Sequence, residues 1–195
     1  MLSPKKSLNI LRKTNALLEG HFVLSSGLHS SKYIQCAKLL SFPDKAEKIC
    51  KSLANKIKKN FTKIDLILAP AIGGIVIGYE IGRILKKETI FCERVKGKFV
   101  LRRGFKIKKG SKVLIVEDVI TTGKSSMECV KLIKKANASI IGFASIIDRS
   151  TKKSLKIKKR IISHLKIDVP TYKSNSLPSE LKLIPITTPG SRFIK

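Results

Sequence analysis

The sequence has no apolar run long enough to span a membrane. A helix that crosses a bilayer needs about 18 consecutive apolar residues, and polar or charged residues interrupt every apolar stretch before that length. The opening segment MLSPKKSLNILRK also has no uninterrupted apolar stretch of the signal-peptide type. These absences predict a protein that is neither exported nor inserted into a membrane, and we expect it in the cytoplasm.

Cysteine is scarce as well. The four cysteines, Cys36, Cys50, Cys92 and Cys129, are scattered along the chain, and no two of them form a CxxC pair. A disulfide framework or a structural zinc site usually shows paired or regularly spaced cysteines. We therefore interpret the four as reduced thiols, which agrees with a cytoplasmic location.

Acidic residues are few, since 13 of them stand against 41 basic residues and give a formal net charge of +28. Such a charge attracts nucleic acids, anionic membranes or anionic substrates. However, 33 of the basic residues are lysines spread along the whole chain, and isoleucine is also abundant at 27 residues. We interpret the two excesses as a coding bias expressed on a solvated surface that also attracts polyanionic substrates. We expect no nucleic-acid partner and no membrane partner.

Two common nucleotide-binding motifs are missing. Gly123-Lys124-Ser125 resembles the end of a P-loop, but that motif needs a glycine where this chain has Asp118. No GxGxxG follows a predicted strand, so a dinucleotide-binding fold is unsupported as well.

Helical and strand patterns alternate between residues 44 and 147, which is typical of stacked βα units. The chain therefore predicts an α/β fold whose central, mainly parallel sheet is flanked by helices, and its 195 residues fit one domain. The predicted helices cover 7–19, 42–61, 75–85 and 126–136. The predicted strands cover 22–24, 32–35, 64–69, 89–92, 113–116, 140–147, 161–165 and 182–186, with a hairpin or mobile loop over 93–110.

The stretch 113–125, VLIVEDVITTGKS, carries the clearest chemical pattern. Val113 to Val116 predict a buried strand, and the two acids Glu117 and Asp118 follow it directly. Thr121 to Ser125 then form a short polar turn into a helix, where backbone N–H groups and the helix dipole favour a phosphate. Carboxylates accept hydrogen bonds from sugar hydroxyls, so the stretch suits a sugar phosphate. The alternative is a strand end with solvated acids before an ordinary capped helix.

This stretch resembles the phosphoribosyl-diphosphate motif of the type I phosphoribosyltransferase family. The resemblance implies that Glu117 and Asp118 bind the ribose hydroxyls and contribute to catalysis. It also implies that the donor substrate is held by the remaining motif residues, Val119, Ile120, Thr121, Thr122, Gly123, Lys124 and Ser125, with the 5-phosphate on Thr121 to Ser125.

Two further elements resemble the orotate branch of that family, the segment FVLSSGLHSSKY at 22–33 and Arg149. A planar guanidinium suits a carboxylate because it offers two parallel donors, although Arg149 could instead be an exposed charge at a strand end. The resemblance implies that orotate is bound by Ser25, Ser26, Gly27, Thr121 and Arg149.

The turn 69–74 resembles the pyrophosphate loop of the family, which implies that Ala71, Ile72 and Gly73 face the diphosphate and that the Ala71–Ile72 bond is cis. Arg94 and Lys98 match catalytic residues of a mobile loop over about 94–108, although that segment could also be a solvated basic hairpin.

The chain departs from the family pattern at several positions. Many relatives have lysines where Ser25 and Gly73 stand, Val95 replaces another lysine, and Val100 stands near a histidine position. Arg102 and Arg103 are candidates to compensate for these losses.

The resemblance implies transfer of ribose 5-phosphate from phosphoribosyl diphosphate to orotate, a step of pyrimidine biosynthesis. It further implies a Mg²⁺ ion held by the substrate rather than by protein ligands, and a homodimer with shared active sites. It divides the single domain into a core over about 41–150 and a hood made of about 1–40 and part of 150–195. The alternatives are a purine-type phosphoribosyltransferase or a regulator of the same fold that binds nucleic acid.

Overall fold

The structure is a computed structural model, and it describes residues 2–24, 26–151 and 154–189. The helices are α1 Pro4–Lys13, α2 Cys36–Leu40, α3 Pro43–Asn60, α4 Gly73–Leu85, α5 Lys124–Lys135 and α6 Ser179–Lys182. The strands are β1 Leu17–Val23, β2 His29–Ile34, β3 Leu66–Pro70, β4 Glu88–Val95, β5 Lys98–Val100, β6 Lys112–Ile120, β7 Ser139–Asp148, β8 Ile161–Lys166, β9 Thr171–Tyr172 and β10 Ile186–Thr187. Within the described ranges, no helix has the length and apolar character needed to cross a membrane.

A six-stranded sheet in the order β5-β4-β3-β6-β7-β8 forms the centre of the molecule. All neighbouring strands in it are parallel except β4 and β5, which form an antiparallel hairpin. This arrangement confirms the predicted α/β class and the mainly parallel sheet.

Both faces of this sheet are covered. Successive residues of a strand point to opposite faces, and in β6 Leu114 and Val116 join the apolar cluster that includes residues of α3 and α4. Val113 and Ile115 join a second cluster on the α5 side. All four residues are fully buried, so the predicted buried strand is confirmed.

A second, four-stranded sheet has the order β10-β1-β2-β9. β1 and β2 form the predicted antiparallel hairpin, and short strands from late in the chain pair with its two edges. Residues from early and late in the sequence thus build one sheet beside the main core.

The first predicted helix is too long. α1 ends at Lys13, and Asn15 then adopts a left-handed conformation with φ of 53°. Leu17 and Leu18, which continue the helical spacing, belong instead to β1 and pair with Ile34 and Tyr33.

Two other boundaries also differ from the prediction. β6 continues to Ile120, so Glu117 and Asp118 lie inside the strand rather than after it. The strand predicted over 182–186 is wrong for most of its length, because Lys182 ends α6 and only Ile186 belongs to a strand, β10. The strand predicted over 161–165 is confirmed as β8, at the edge of the main sheet.

Candidate active site

The loops that carry most of the predicted site residues meet at one edge of the six-stranded sheet. β3, β6 and β7 are parallel neighbours, so their carboxyl ends lie side by side. Open α/β sheets bind ligands outside these ends. The segments that follow the three strands are 71–72, 121–123 and the stretch that begins at Arg149. The structure therefore brings together three groups that are far apart in the sequence.

Glu117 is a buried acid near the end of β6, with 7% of its surface exposed. The Ser126 hydroxyl, at the start of α5, donates a hydrogen bond to Glu117 Oε1. Burial raises the pKa of Glu117 to about 7, with a further upward contribution from Asp118, while hydrogen bonds from Ser126 lower it. Such a carboxyl changes protonation near neutral pH, as acids in functional sites often do.

Asp118 points to the other face of β6 and contacts the loop that follows β3. Its Oδ1 accepts a hydrogen bond from the Val119 N–H at 2.9 Å. Burial raises the pKa of Asp118, and the bond from Val119 opposes this rise. Its carboxylate fills the space beside Gly73, where a Cβ atom would lie 2.8 Å from Oδ2. The acidic motif and the predicted pyrophosphate loop are therefore in direct contact.

The loop after β3 has the backbone that the sequence predicts. The Ala71–Ile72 peptide bond is cis, and the Ala71 N–H donates to the Cys92 carbonyl at 2.8 Å. Ile72 is 86% exposed, and α4 begins at Gly73. The loop thus precedes a helix N-terminus, whose free N–H groups suit an anion.

The predicted phosphate loop forms the turn between β6 and α5. Gly123 has φ of 73°, and a Cβ atom there would lie 2.7 Å from Ile157 Cδ1, so this position requires glycine on two grounds. The Lys124 N–H donates to Thr122 Oγ1 at 3.3 Å, and the Lys156 N–H donates to the Thr122 carbonyl at 3.0 Å. Thr121 and the neighbouring Thr122 are exposed on the turn, as a loop that receives a phosphate requires.

Arg149 follows β7 and is half-buried. Its N–H donates to the Ile120 carbonyl at 2.8 Å, which ties it to the end of β6. Its Nε is buried and has no hydrogen-bond partner among the described residues. Burial lowers the pKa of Arg149, against the effect of the neighbouring Cys36 and Tyr33. A buried donor without a partner carries an energetic cost that a bound carboxylate would relieve.

The thiol of Cys36 lies near both Arg149 and the acidic motif. Cys36 is buried at the start of α2, and its Sγ lies 3.9 Å from the Asp118 carbonyl oxygen. Burial raises the pKa of this thiol, Asp118 raises it further, and Arg149 lowers it. The two charged residues predicted to hold different substrates therefore lie near the same side chain.

The hairpin between β1 and β2 carries the other predicted acceptor residues. Ser26 and Gly27 lie at its tip, where the Gly27 N–H donates to the Leu24 carbonyl at 2.8 Å. Ser25, which belongs to the same prediction, lies outside the described residues.

Arg94, at the end of β4, is held by its own chain. Its Nη1 lies 2.7 Å from Glu128 Oε2 on α5 and donates to the Gly97 carbonyl at 2.7 Å. The guanidinium also lies over the Phe99 ring, 4.1 Å from the centroid. In this single chain the predicted catalytic arginine thus packs against the helix that begins at the phosphate loop.

Lys98 is exposed in β5 and pairs with Val95 across the hairpin. Arg102 and Arg103, the candidates to replace missing cations, both form ion pairs with Glu93, at 3.8 and 3.3 Å. In the structure these two arginines therefore contact an acid of β4.

Several residues beside the predicted site have no recognisable signal in the sequence. Ser126 bonds Glu117, Glu128 pairs with Arg94, and Ile157 packs against Gly123. Each contact joins residues from different elements, so it becomes visible only in the folded chain. The helical spacing of α5 does place Ser126 on its buried side, but that spacing says nothing about which residue it meets.

Comparison with known proteins identifies the family. The model of the phosphoribosyl transferase domain matches residues 42–175. The chain is 44% identical to orotate phosphoribosyltransferase of Parvibaculum lavamentivorans over 99% of this chain and 100% of that protein. It is 45% identical to the orotate phosphoribosyltransferase of Phenylobacterium zucineum over 96% of each chain.

Solved structures agree in fold. Orotate phosphoribosyltransferase from Aeropyrum pernix superposes with a TM-score of 0.71 and 24% identity, over 82% of this chain and 92% of that one. A crystal structure titled adenine phosphoribosyltransferase gives a TM-score of 0.65 at 18% identity, over 80% of this chain and 99% of that one. At these identities the structures establish the fold, and the closer sequence relatives distinguish the branch. The chain belongs to the orotate phosphoribosyltransferase family.

Proposed function

We propose that this protein transfers the ribose 5-phosphate group of 5-phospho-α-D-ribose 1-diphosphate to orotate in pyrimidine biosynthesis. The bond between the ribose C1 and the diphosphate oxygen breaks, a bond between C1 and N1 of orotate forms, and the proton of N1 passes to water. The products are orotidine 5′-phosphate and pyrophosphate. The observation that carries this proposal is the meeting of an acid pair, a phosphate loop and Arg149 at one sheet edge, where the buried Arg149 Nε has no hydrogen-bond partner among the described residues.

The donor substrate occupies the ends of β3 and β6 in this proposal. Glu117 and Asp118 accept hydrogen bonds from the ribose hydroxyls, and Thr121 to Ser125 bind the 5-phosphate through N–H and hydroxyl groups. The backbone of 71–73 faces the diphosphate. The supporting observation is that Asp118 and Gly73 are in contact, so one sugar diphosphate could reach both loops.

The acceptor lies between Arg149 and the β1–β2 hairpin. Its carboxylate pairs with the Arg149 guanidinium, which offers more than one parallel donor. Ser25, Ser26 and Gly27 bind the acceptor from the hairpin, and Thr121 contacts it from the donor side. The low polarity around Arg149, which lowers its pKa, strengthens an ion pair formed there.

The chemistry needs little covalent help from the protein. N1 of orotate attacks C1 as its proton passes to water, and negative charge grows on the leaving pyrophosphate as the ribose becomes oxocarbenium-like. The protein therefore contributes by holding the two substrates in line and by placing cations near the pyrophosphate. Arg94 and Lys98 are the cations that we assign to this task.

A bound magnesium ion would supply charge neutralisation at the leaving diphosphate. The acids near the site already have protein donors, since Glu117 accepts from Ser126 and Asp118 accepts from Val119. No group of three or more histidine, cysteine or acidic side chains in the described part of the chain is arranged to hold a metal. We propose, as the family resemblance implies, that the oxygens of the substrate would hold the ion.

We propose a homodimer with shared sites. An apolar strip runs along the outer face of α4, with Ile72, Val76 and Tyr79 exposed by 86%, 51% and 67%. Such a strip favours burial against another protein surface, and it begins at the pyrophosphate loop. In this proposal a second copy docked there contributes Arg94 or Lys98 to the site. We place the enzyme in the cytoplasm, which the four free, buried cysteines support.

One assay tests the proposed reaction. The protein is mixed with magnesium, phosphoribosyl diphosphate and one base at a time, and pyrophosphate release is measured with orotate, adenine and xanthine. We expect release with orotate alone. Release with adenine or xanthine but not with orotate would favour the purine-type alternative, which the curated relatives at 42–45% identity do not support.

A further inference from the structure

Ser126 joins the acidic strand to the phosphate-binding helix. It is the third residue of α5 and is fully buried, and its hydroxyl donates to Oε1 of Glu117 on β6. Hydrogen bonds to charged groups are strong where water does not compete, and both partners here are buried. The bond therefore links one acid of the motif to the first turn of the helix that follows the phosphate loop.

The surroundings of Glu117 make the hydrogen bond from Ser126 important for keeping the Glu117 carboxyl ionised. Burial is the main cause that raises the pKa of Glu117 to about 7, and the adjacent Asp118 contributes in the same direction. The hydroxyl and backbone N–H of Ser126 oppose that rise. The charge of Glu117 also raises the pKa of the Cys129 thiol of α5, and Cys129 in turn contacts Cys92 of β4. Without the hydroxyl, Glu117 would hold its proton to a higher pH.

We propose that Ser126 is a positioning residue of this active site. Its hydroxyl fixes one oxygen of Glu117, so that the other oxygen is presented to the ribose hydroxyls, and it keeps the group in the form that accepts their hydrogen bonds. This inference rests on the proposed function, because it takes Glu117 as a ligand of the donor substrate. A protonated carboxyl has lost part of its acceptor capacity, so donor binding should depend on Ser126 while orotate binding should not.

The primary test is the variant Ser126→Ala, studied by calorimetric titration with phosphoribosyl diphosphate and magnesium from about pH 6 to about pH 9. We expect donor binding about tenfold weaker at pH 7, the factor that corresponds to a charged hydrogen bond of about 1.5 kcal/mol. The difference in donor affinity between the variant and wild type should become smaller toward about pH 9, where Glu117 is ionised even without the Ser126 hydrogen bond. In the steady state, the acid limb of kcat/KM for the donor should move to higher pH while the KM for orotate stays unchanged.

Two further variants separate positioning from packing. Ser126→Thr keeps the hydroxyl, and we expect its acid limb to stay near the wild-type position. Ser145→Ala removes an equally buried hydroxyl from β7, at the register partner of Glu117, where Ser145 Oγ has no partner among the described residues. We expect that control to bind the donor like wild type.

The outcomes are distinguishable. A Ser126→Ala protein that binds the donor with the wild-type pH profile, even if its Tm is lower, overturns the inference, and so does a Ser126→Thr protein that behaves like Ser126→Ala. Calorimetry needs no acceptor. A wild-type protein that binds the donor but releases no pyrophosphate with orotate therefore refutes the proposed acceptor while Ser126 is still tested on donor binding. A wild-type protein that does not bind the donor overturns both.

Discussion

At the scale of single residues, the contact between Gly73 and Asp118 determines where the Asp118 carboxylate can lie. Gly73 has no side chain, and the Asp118 carboxylate occupies the space that a side chain would need, with both oxygens and Cγ within 2.9 Å of an ideal Cβ. Any side chain at this position would require another placement of Asp118. The small residue and the position of the acid therefore depend on each other.

Gly73→Ala tests this dependence. The added methyl group should push the Asp118 carboxylate away from its present position, and we expect the KM for phosphoribosyl diphosphate to rise about tenfold, because one charge-assisted hydrogen bond contributes about 1.5 kcal/mol. The matched control is Gly20→Ala in β1, where the new atom meets the tip of the Phe22 ring at 3.2 Å and that ring can move. Equal donor KM values in the two variants would contradict the expected displacement.

A second residue, His164, makes stability depend on pH. His164 lies on β8 with its Nε2 2.7 Å from the Ser7 hydroxyl of α1, and it is 4% exposed. Burial lowers its pKa to about 4, with a smaller contribution from the charge of Lys56. The unfolded chain takes up this proton at about pH 6.5, whereas the folded protein does so only near pH 4. Stability from this group is therefore present above pH 6.5 and is lost as pH falls through that window.

Urea denaturation of wild type and His164→Gln at two pH values measures the effect. Between pH 7 and pH 5, wild type should lose about 2 kcal/mol more unfolding free energy than the variant, since each unit of pKa shift corresponds to about 1.4 kcal/mol. The other titrating groups are present in both proteins and cancel in the comparison. Parallel pH profiles would show that His164 titrates normally in the folded protein.

At the scale of elements, the β4–β5 hairpin and α5 form one unit beside the site. Arg94 joins them through its ion pair with Glu128 and its position over Phe99. Lys98 projects from the same hairpin and is exposed. The hairpin thus carries Arg94, which is paired within its own chain, and exposed lysines that include Lys98.

Lys98→Ala should reduce kcat/KM for the donor by about tenfold, because it removes a cation from the leaving pyrophosphate. Lys109→Ala is the matched control, since it removes an equally exposed positive charge from the same basic stretch outside the predicted loop. Identical kinetics for the two variants would show that the alignment of residues 93–104 with the family is wrong.

The order of elements in the core could be predicted from the sequence because local patterns and tertiary structure agree there. α3 begins at Pro43, where proline is tolerated in the first turn, and the apolar run of β6 is buried on both faces. The end of α1 could not be predicted, since Leu17 and Leu18 fit helical spacing and only their pairing with β2 places them in a strand. Short elements such as α2 and β10 have too few residues to show a period.

In the candidate site too, local sequence patterns predicted some residues and only tertiary contacts revealed the others. Motifs that are continuous in sequence located the acids and the phosphate turn, because their chemistry lies in adjacent residues. Ser126, Glu128 and Ile157 act on the site through contacts between elements. A single sequence does not contain those distances, so these neighbours required the folded structure.

At the scale of the whole molecule, the exposed strip on α4 is the surface on which we propose that two chains meet. Most of the net charge of +28 must lie on the surface, so two copies repel each other at long range. In the proposed dimer, association would therefore depend on burying apolar residues such as Val76 and Tyr79, and salt should assist it by screening the charge.

Subunit mixing tests the shared site. Lys98→Ala and Asp118→Asn proteins, each weakly active alone, are unfolded together and refolded as a mixture. If Lys98 acts on the partner's donor site, mixed dimers contain one site free of both changes. The mixture should then recover about one quarter of wild-type activity, since half of the dimers are mixed and each has one intact site. No recovery would place Lys98 and Asp118 of one chain in the same site.

The sheet order β10-β1-β2-β9 has a consequence for synthesis on the ribosome. The β1–β2 hairpin emerges early, but the strands that cover its two edges come from Thr171–Tyr172 and Ile186–Thr187. A nascent chain therefore exposes both edges of the hairpin while the rest is translated, and open edges invite wrong pairing. The hairpin whose tip holds Ser26 and Gly27 gains its two neighbouring strands last. Translation that stops before Thr171 would therefore leave the hairpin of the proposed acceptor site unpaired at both edges.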